Sequence, residues 1–224
     1  MKGQNQLRSW GARVAFGAAA VLAATAPLAQ AQIGSGWTSK TYTKNIHLDD
    51  ESGLHSYSWT SSKSVCSPVC ASYSSSNDVE TFKIIDNRSN RSEIRLQNAY
   101  TTGQRQFQGY VTFGSPLNDE SLFQIFGSTS GATLCMMRGY STSGGSIRTV
   151  GGGGTLATGV YGHEQKINVI HVQGQNVKFY VGGSLKATIS DGENVSNYWK
   201  YGCYGTLKTG AVTVKWRAVR LYAK

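Results

Sequence analysis

Acidic side chains are scarce in this chain: 12 Asp and Glu stand against 22 Lys and Arg, a formal charge of +10 over 224 residues. Helical periodicity is almost absent beyond the first thirty residues, which argues against a fold built from amphipathic helices. No later stretch is apolar enough to span a bilayer, so no membrane partner is expected. A Gly-rich phosphate loop, H-E-x-x-H and G-x-S-x-G are all missing, which removes the commonest nucleotide, zinc-protease and serine-hydrolase readings. No C-x-x-C or paired His accompanies the four cysteines, so neither a metal nor another cofactor is implied. No strand carries Glu-x-Asp-x-Glu. The acids cluster as Asp49-Asp50-Glu51, as Asp119-Glu120, or stand singly. That pattern counts against a retaining glycoside hydrolase, which needs two carboxylates facing each other across the scissile bond.

The first residues carry the one clear apolar run. Lys2, Arg8 and Arg13 precede an Ala-rich stretch from Val14 to Ala24, and Ala29-Gln30-Ala31 has the small-x-small pattern of a signal-peptidase site. The segment reads as a secretory leader, residues 1–31, followed by one domain over 32–224. Cleavage would leave 193 residues, enough for a full core, and would lower the charge from +10 to +7. A basic exported protein suggests a polyanionic partner. The basic residues are dispersed and the chain is read as exported, so nucleic acid ranks low, and a monomer is the default. Export also permits disulfides. Cys66 and Cys70 flank Ser-Pro-Val and suit a small closed loop, whereas Cys135 and Cys203 sit in apolar segments and either pair or stay as buried thiols.

Alternation of period two recurs along the chain. Arg91-Ser-Glu-Ile-Arg-Leu-Gln97 places Arg91, Glu93 and Arg95 on one face and Ile94 and Leu96 on the other. Residues 106–113 put Phe107, Val111 and Phe113 together. Asn176–Val181 and Ser184–Ile189 flank Gly182-Gly183, a hairpin signal. Residues 211–222 form a last strand, the Ser-rich segment 60–77 reads as a long loop, and Gly151–Gly154 as a loop between strands. Short strands at short intervals predict an all-β sandwich or jelly roll of two antiparallel sheets.

Three segments carry candidate chemistry. In Arg91-Ser92-Glu93-Ile94-Arg95, two guanidinium groups flank a carboxylate that can hold both. Arg suits a carboxylate because its fork donates two parallel hydrogen bonds. The same pattern also fits the solvated face of an edge strand. In Phe123-Gln124-Ile125-Phe126, Phe123 and Ile125 should face the core, with Gln124 and Phe126 opposite. In Tyr198-Trp199-Lys200-Tyr201-Gly202-Cys203-Tyr204, one face collects Tyr198, Lys200 and Tyr204. A phenol beside a cation suits general acid–base work, though an aromatic binding platform would look the same.

Together and in this order, the three segments resemble the signatures of the family seven polysaccharide lyases of alginate-lyase type: R-[ST]-E-[LV]-R, Q-[IV]-H and Y-F-K-A-G-x-Y. The resemblance implies a β-jelly roll whose concave sheet holds an acidic polysaccharide. It also implies β-elimination, in which the C5 proton leaves, the 4-linked sugar departs and an unsaturated uronate remains. Carried over residue by residue, Arg91, Gln124 and Lys200 would neutralise the substrate carboxylate, and Tyr204 would act as general acid and base. Arg95, Glu93, Phe126 and Tyr198 would line the substrate site.

One departure stands out: the family's His in Q-I-H is Phe126 here. Three explanations compete. Tyr204 does both proton transfers; another His fills the role, His55 first, with His47, His163 and His171 behind it; or the protein is a glycan-binding module without catalysis. Glucuronan-cleaving relatives take a His from an earlier strand, which tilts the expected substrate from alginate towards a glucuronate polymer, with ulvan also in range.

Overall fold

Strand formation follows where β-branched and aromatic residues alternate with polar ones, and among the described residues no helix interrupts them. The computed structural model describes residues 33–205 and 210–224, so the leader-like segment 1–31 lies outside them. Gln32–Lys224 forms one compact unit. In chain order the strands are β1 (Thr38–Lys40), β2 (Lys44–Asp50), β3 (Gly53–Ser58), β4 (Ser62–Val65), β5 (Ala71–Ser76), β6 (Val79–Ile84), β7 (Arg91–Leu96), β8 (Gln104–Phe113) and β9 (Glu120–Phe126). They continue as β10 (Thr133–Tyr140), β11 (Ser146–Val150), β12 (Thr155–Thr158), β13 (Gln165–Val172), β14 (Asn176–Val181), β15 (Ser184–Ser190), β16 (Tyr198–Tyr204) and β17 (Val212–Ala223).

These strands make two antiparallel sheets, the jelly-roll sandwich that the alternation predicts. One has nine strands in the order β15-β14-β13-β8-β17-β6-β5-β4, with β1 added beside β17. The other has eight, in the order β12-β11-β10-β9-β16-β7-β2-β3. The three motif strands β9, β16 and β7 are therefore adjacent at the centre of the eight-stranded sheet, although 113 positions separate Arg91 from Tyr204 in sequence.

The core between the sheets is aromatic directly beneath the motifs. Phe107 on β8 packs against Phe123 at 4.8 Å between ring centroids, Trp216 at 5.2 Å and Tyr201 at 5.4 Å. Trp199, Tyr201 and Cys203 of β16 all point into this layer and are buried. A slip of one residue would drive Lys200 into the aromatic core and expose Trp199 and Tyr201, so the hydrophobic pattern fixes the register. Polar handles fix the two aromatics as well. The Tyr201 hydroxyl donates to Glu80 at 2.7 Å, and the Trp199 indole N–H donates to the Tyr100 hydroxyl, which contacts His171 at 2.7 Å.

The Ser-rich segment 60–77 is not a long loop. It holds β4 and β5, because Ala71 and Tyr73 bury their side chains while Ser74 and Ser76 face solvent, and the backbone pairs with β6. A Cys66–Cys70 disulfide closes the β4–β5 turn. Cys135 and Cys203 are buried thiols, unpaired with each other.

One glycine is required by the site above it. Gly202 has φ +142°, and a Cβ there would lie 2.6 Å from the Glu93 Cα and 2.6 Å from the Ser92 carbonyl oxygen. Gly202→Ala should therefore lower stability by roughly 2–4 kcal/mol in denaturant unfolding. Gly114→Ala, which meets nothing within 4 Å, should change it little.

Candidate active site

Cross-strand partners share a face, so the registers define what the outer face of the eight-stranded sheet presents. One row runs across five strands: Gln124 (β9) lies opposite Lys200 (β16), Lys200 opposite Arg95 (β7), Arg95 opposite Asn45 (β2) and Asn45 opposite Ser58 (β3). The next row holds Gly202, Glu93, His47 and Ser56. Tyr204 lies opposite Arg91 in a third. Arg91, Glu93, Arg95, Gln124, Phe126, Tyr198, Lys200 and Tyr204 are thus brought to one surface.

Glu93 organises it. Its carboxylate is 2% exposed and accepts from Lys200 Nζ at 3.0 Å, Gln124 Nε2 at 2.8 Å and the Arg91 guanidinium. Arg91 also lies 3.6 Å from Asp49, whose carboxylate is fixed by the Ser89 hydroxyl at 2.7 Å and the Asn90 amide at 2.9 Å. Three cations, Arg91, Arg95 and Lys200, thus face two carboxylates, and net positive charge remains on the face. Burial, followed by repulsion from Arg91 and Arg95, pulls the Lys200 pKa down, opposed by the adjacent Glu93.

Tyrosines shelve both arginines. The Arg91 guanidinium lies 4.0 Å over the Tyr204 ring, and that of Arg95 lies 4.1 Å over Tyr198. Stacking holds a guanidinium plane while leaving edge N–H groups free for a carboxylate. The cation against Tyr204 is therefore Arg91, whereas Lys200 is committed to Glu93. Phe126 stacks on Tyr198 with centroids 5.1 Å apart and lies 5.4 Å from Lys200 Nζ. It walls the site and cannot transfer a proton.

The imidazole on this face is His47, not His55. His55 pairs with Leu48, a core residue, and so belongs to the opposite face. There it lies 3.0 Å from Asp50 and 3.2 Å from the Ser52 hydroxyl, packing the β2–β3 turn. The alternation Asn45-Ile46-His47-Leu48-Asp49 carries the signal for His47, since Ile46 and Leu48 are buried in the core and His47 points the other way. His163 is exposed. His171 is buried between Tyr100 and Asp191 in the other sheet.

His47 is 3% exposed, and its Nδ1 has no hydrogen-bond partner among the described residues. Burial first, then the positive charges of Lys200, Arg91 and Arg95, pushes its pKa down to about 4 against the pull of Glu93. The imidazole is therefore neutral near pH 7, able to accept a proton at one nitrogen and donate from the other. No cluster of His, Cys, Asp and Glu suited to a metal occurs among the described residues.

Removal of the hub should be costly. Glu93→Ala leaves Lys200 and Arg91 buried without their shared counter-charge and should lower stability by about 3–5 kcal/mol in thermal or denaturant melts. His47 gives stability a pH dependence of defined sign. Its folded pKa of about 4 lies below the ordinary 6.5. The unfolded chain thus binds more protons between those values, and stability falls as pH drops through that window. Unfolding at pH 7 and pH 4.5 should differ by about 2 kcal/mol more in the wild type than in His47→Gln.

With this geometry in place, comparison with solved structures is informative about the fold. A Pseudomonas aeruginosa alginate lyase superposes with a TM-score of 0.64 at 15% identity, over 81% of this chain and 98% of that one. A marine family seven alginate lyase from Zobellia galactanivorans gives 0.63 at 13%, over 83% and 96%. A Corynebacterium alginate lyase gives 0.60 at 15%, over 82% and 95%. No family model matches the chain. A citrate-binding protein from Hevea brasiliensis is 26% identical over 145 residues, 63% of this chain and 59% of that protein. The chain thus has the jelly-roll fold of the family seven alginate lyases.

Proposed function

We propose that the outer face of the eight-stranded sheet is the active site of a secreted polysaccharide lyase acting on a uronate polymer. The observation that carries this reading is the excess of cations around Glu93, set beside a phenol and a neutral imidazole. Arg91, Arg95 and Lys200 outnumber Glu93 and Asp49, so the face attracts a carboxylate. The fold shared with alginate lyases and the three motifs on adjacent strands add support. The Cys66–Cys70 disulfide and the leader-like segment 1–31 both favour export.

In this mechanism Arg91, Arg95 and Gln124 hold the C5 carboxylate of the substrate, and Lys200 adds positive charge behind it. As the C5–H bond breaks, charge moves into the carboxyl group as an enolate-like pair, which these donors stabilise. The pair then forms the C4–C5 double bond and expels the C4 oxygen. Tyr204, acting as the phenolate, takes the C5 proton, and the phenol so formed delivers it to the departing oxygen, which regenerates the phenolate at the end of the cycle. Arg91, stacked on its ring, opposes negative charge on the phenol oxygen during transfer. His47 supplies the neutral donor or acceptor that Phe126 cannot. Its place on β2, with Phe126 at the usual His position, favours a glucuronate polymer over alginate.

A second reading, a carboxylate-binding module without catalysis, is favoured by the match to a citrate-binding protein. One assay separates the two. The chain from Gln32 onward is incubated with alginate, polyglucuronate, ulvan and a neutral glucan, and the ultraviolet absorbance of the unsaturated uronate is followed. The absorbance should rise with one acidic polymer, and Tyr204→Phe should slow that rise at least about a hundredfold. No rise with any polymer, with retention in a polyuronate affinity gel that citrate relieves, would establish the binding module instead.

A further inference from the structure

Among the described residues, Trp59 is the one aromatic of the large hydrophobic side chains that remain exposed, with half of its surface open. It directly follows β3, the edge strand of the eight-stranded sheet, next to Ser58 of the outer row. Its polar edge is tethered: the indole N–H donates to the Tyr73 hydroxyl at 2.9 Å, and Tyr73 donates in turn to Glu80 at 2.7 Å. The Trp59 backbone N–H donates to the Lys44 carbonyl at 3.2 Å. A ring held by its one polar atom and by its backbone loses little conformational freedom on contact, while its apolar face stays in water.

Trp59 lines a cavity of about 410 Å³ together with Tyr42, Thr43, Lys44, Asn45 and Ser58, and a second one together with Lys44, Asp78, Glu80 and Arg220. The first cavity shares Asn45 and Ser58 with the sheet face that carries the candidate active site. Asn45 and Ser58 are the last two members of the row Gln124–Lys200–Arg95–Asn45–Ser58, which crosses the sheet perpendicular to its strands. Ser58 lies two strands beyond Arg95, about 10 Å at the usual strand spacing. A 1,4-linked pyranose advances by roughly one such spacing, so a chain clamped by a carboxylate at Arg95 reaches Trp59 two sugars further on.

We propose that Trp59, with Asn45 and Ser58, forms a distal subsite for a hexuronosyl ring of the same polymer. The C–H face of the sugar stacks on the indole, and Asn45 and Ser58 bond its hydroxyl groups. This subsite rests on the reading of the outer face as a uronate-polymer site.

The test uses wild type, Trp59→Ala, Trp59→Phe and Leu185→Ala, the last an exposed apolar residue on the other sheet. Each is assayed on a trimer and an octamer of whichever uronate polymer the wild type cleaves, after a melt confirms folding. Trp59→Ala should lower the ratio of kcat/KM on octamer to that on trimer about tenfold, chiefly through KM. Trp59→Phe, which keeps an aromatic face, should recover much of it, and Leu185→Ala should leave the ratio at its wild-type value. An unchanged ratio in both Trp59 variants overturns the subsite while the lyase reading stands. If the wild type cleaves nothing, the lyase reading fails, and the comparison becomes retention in a polyuronate affinity gel. Release of Trp59→Ala then supports the subsite. Migration like wild type, or no wild-type retention on any uronate polymer, overturns it.

Discussion

The Glu93 carboxylate sits at 2% exposure and takes donors from three adjacent strands: Arg91 of β7, Lys200 of β16 and Gln124 of β9. A buried carboxylate is unfavourable unless its lone pairs are satisfied and its charge is opposed. Here both conditions are met by the side chains that a uronate would need. The arrangement solves a problem of charge density. Arg91, Arg95 and Lys200 on neighbouring positions would repel one another, and one central anion lets them coexist without neutralising them. Glu93 cannot itself bind a uronate, and its value lies in the positive charge it leaves over.

Rigidity comes from the opposite face of the same strands. Lys200 lies between Trp199 and Tyr201, which point inward and end in hydrogen bonds to Tyr100 and Glu80. Glu80 in turn accepts from Tyr73 at 2.7 Å and Lys44 at 3.2 Å. A strand pinned on both sides of Lys200 gives that ammonium few ways to relax away from Glu93, the rigidity that the proposed elimination would call for. The same inner network reaches Trp59 through Tyr73. Polar groups buried between the sheets therefore orient side chains on the outer surface.

Much of this was legible from alternation alone. A residue's face follows from its parity, and the β7 and β16 motifs place their polar and aromatic sets as parity predicts. Parity does not report which strands are neighbours. That Arg91 and not Lys200 lies against Tyr204 follows from the β16–β7 register, a long-range pairing that no local pattern encodes. His55 illustrates the limit. It lies in a polar, Ser-rich context that looks like a surface, yet its partner Leu48 assigns it to the other face. His47 was the more readable of the two, flanked by Ile46 and Leu48. The segment 60–77 misled for a different reason. Ser is a poor strand signal, and there the strand is held by backbone pairing to β6 and by Tyr73 and Ala71 packing inward.

The relation between Phe126 and His47 bears on the substrate through stereochemistry. In a glucuronate or mannuronate unit the C5 hydrogen and the C4 oxygen lie on the same side of the ring, whereas in a guluronate unit they lie on opposite sides. Same-side elimination can be served by one group, because the proton taken from C5 is released next to the oxygen that must receive it. Tyr204 alone can then do both transfers, and a neutral imidazole is most useful as a donor to the carboxylate. Opposite-side elimination needs two groups. The candidates are Tyr204 on β16 and His47 on β2, with the Arg91–Glu93–Arg95 strand lying between them. A His at position 126 would stand on β9, on the same side of that strand as Tyr204. Exchanging it for Phe leaves the Tyr204 side with an apolar wall stacked on Tyr198, and leaves the imidazole on the far side of the carboxylate clamp. If the proposed chemistry holds, a single proton-transfer group on the Tyr204 side suits the same-side units, glucuronate and mannuronate alike, over guluronate.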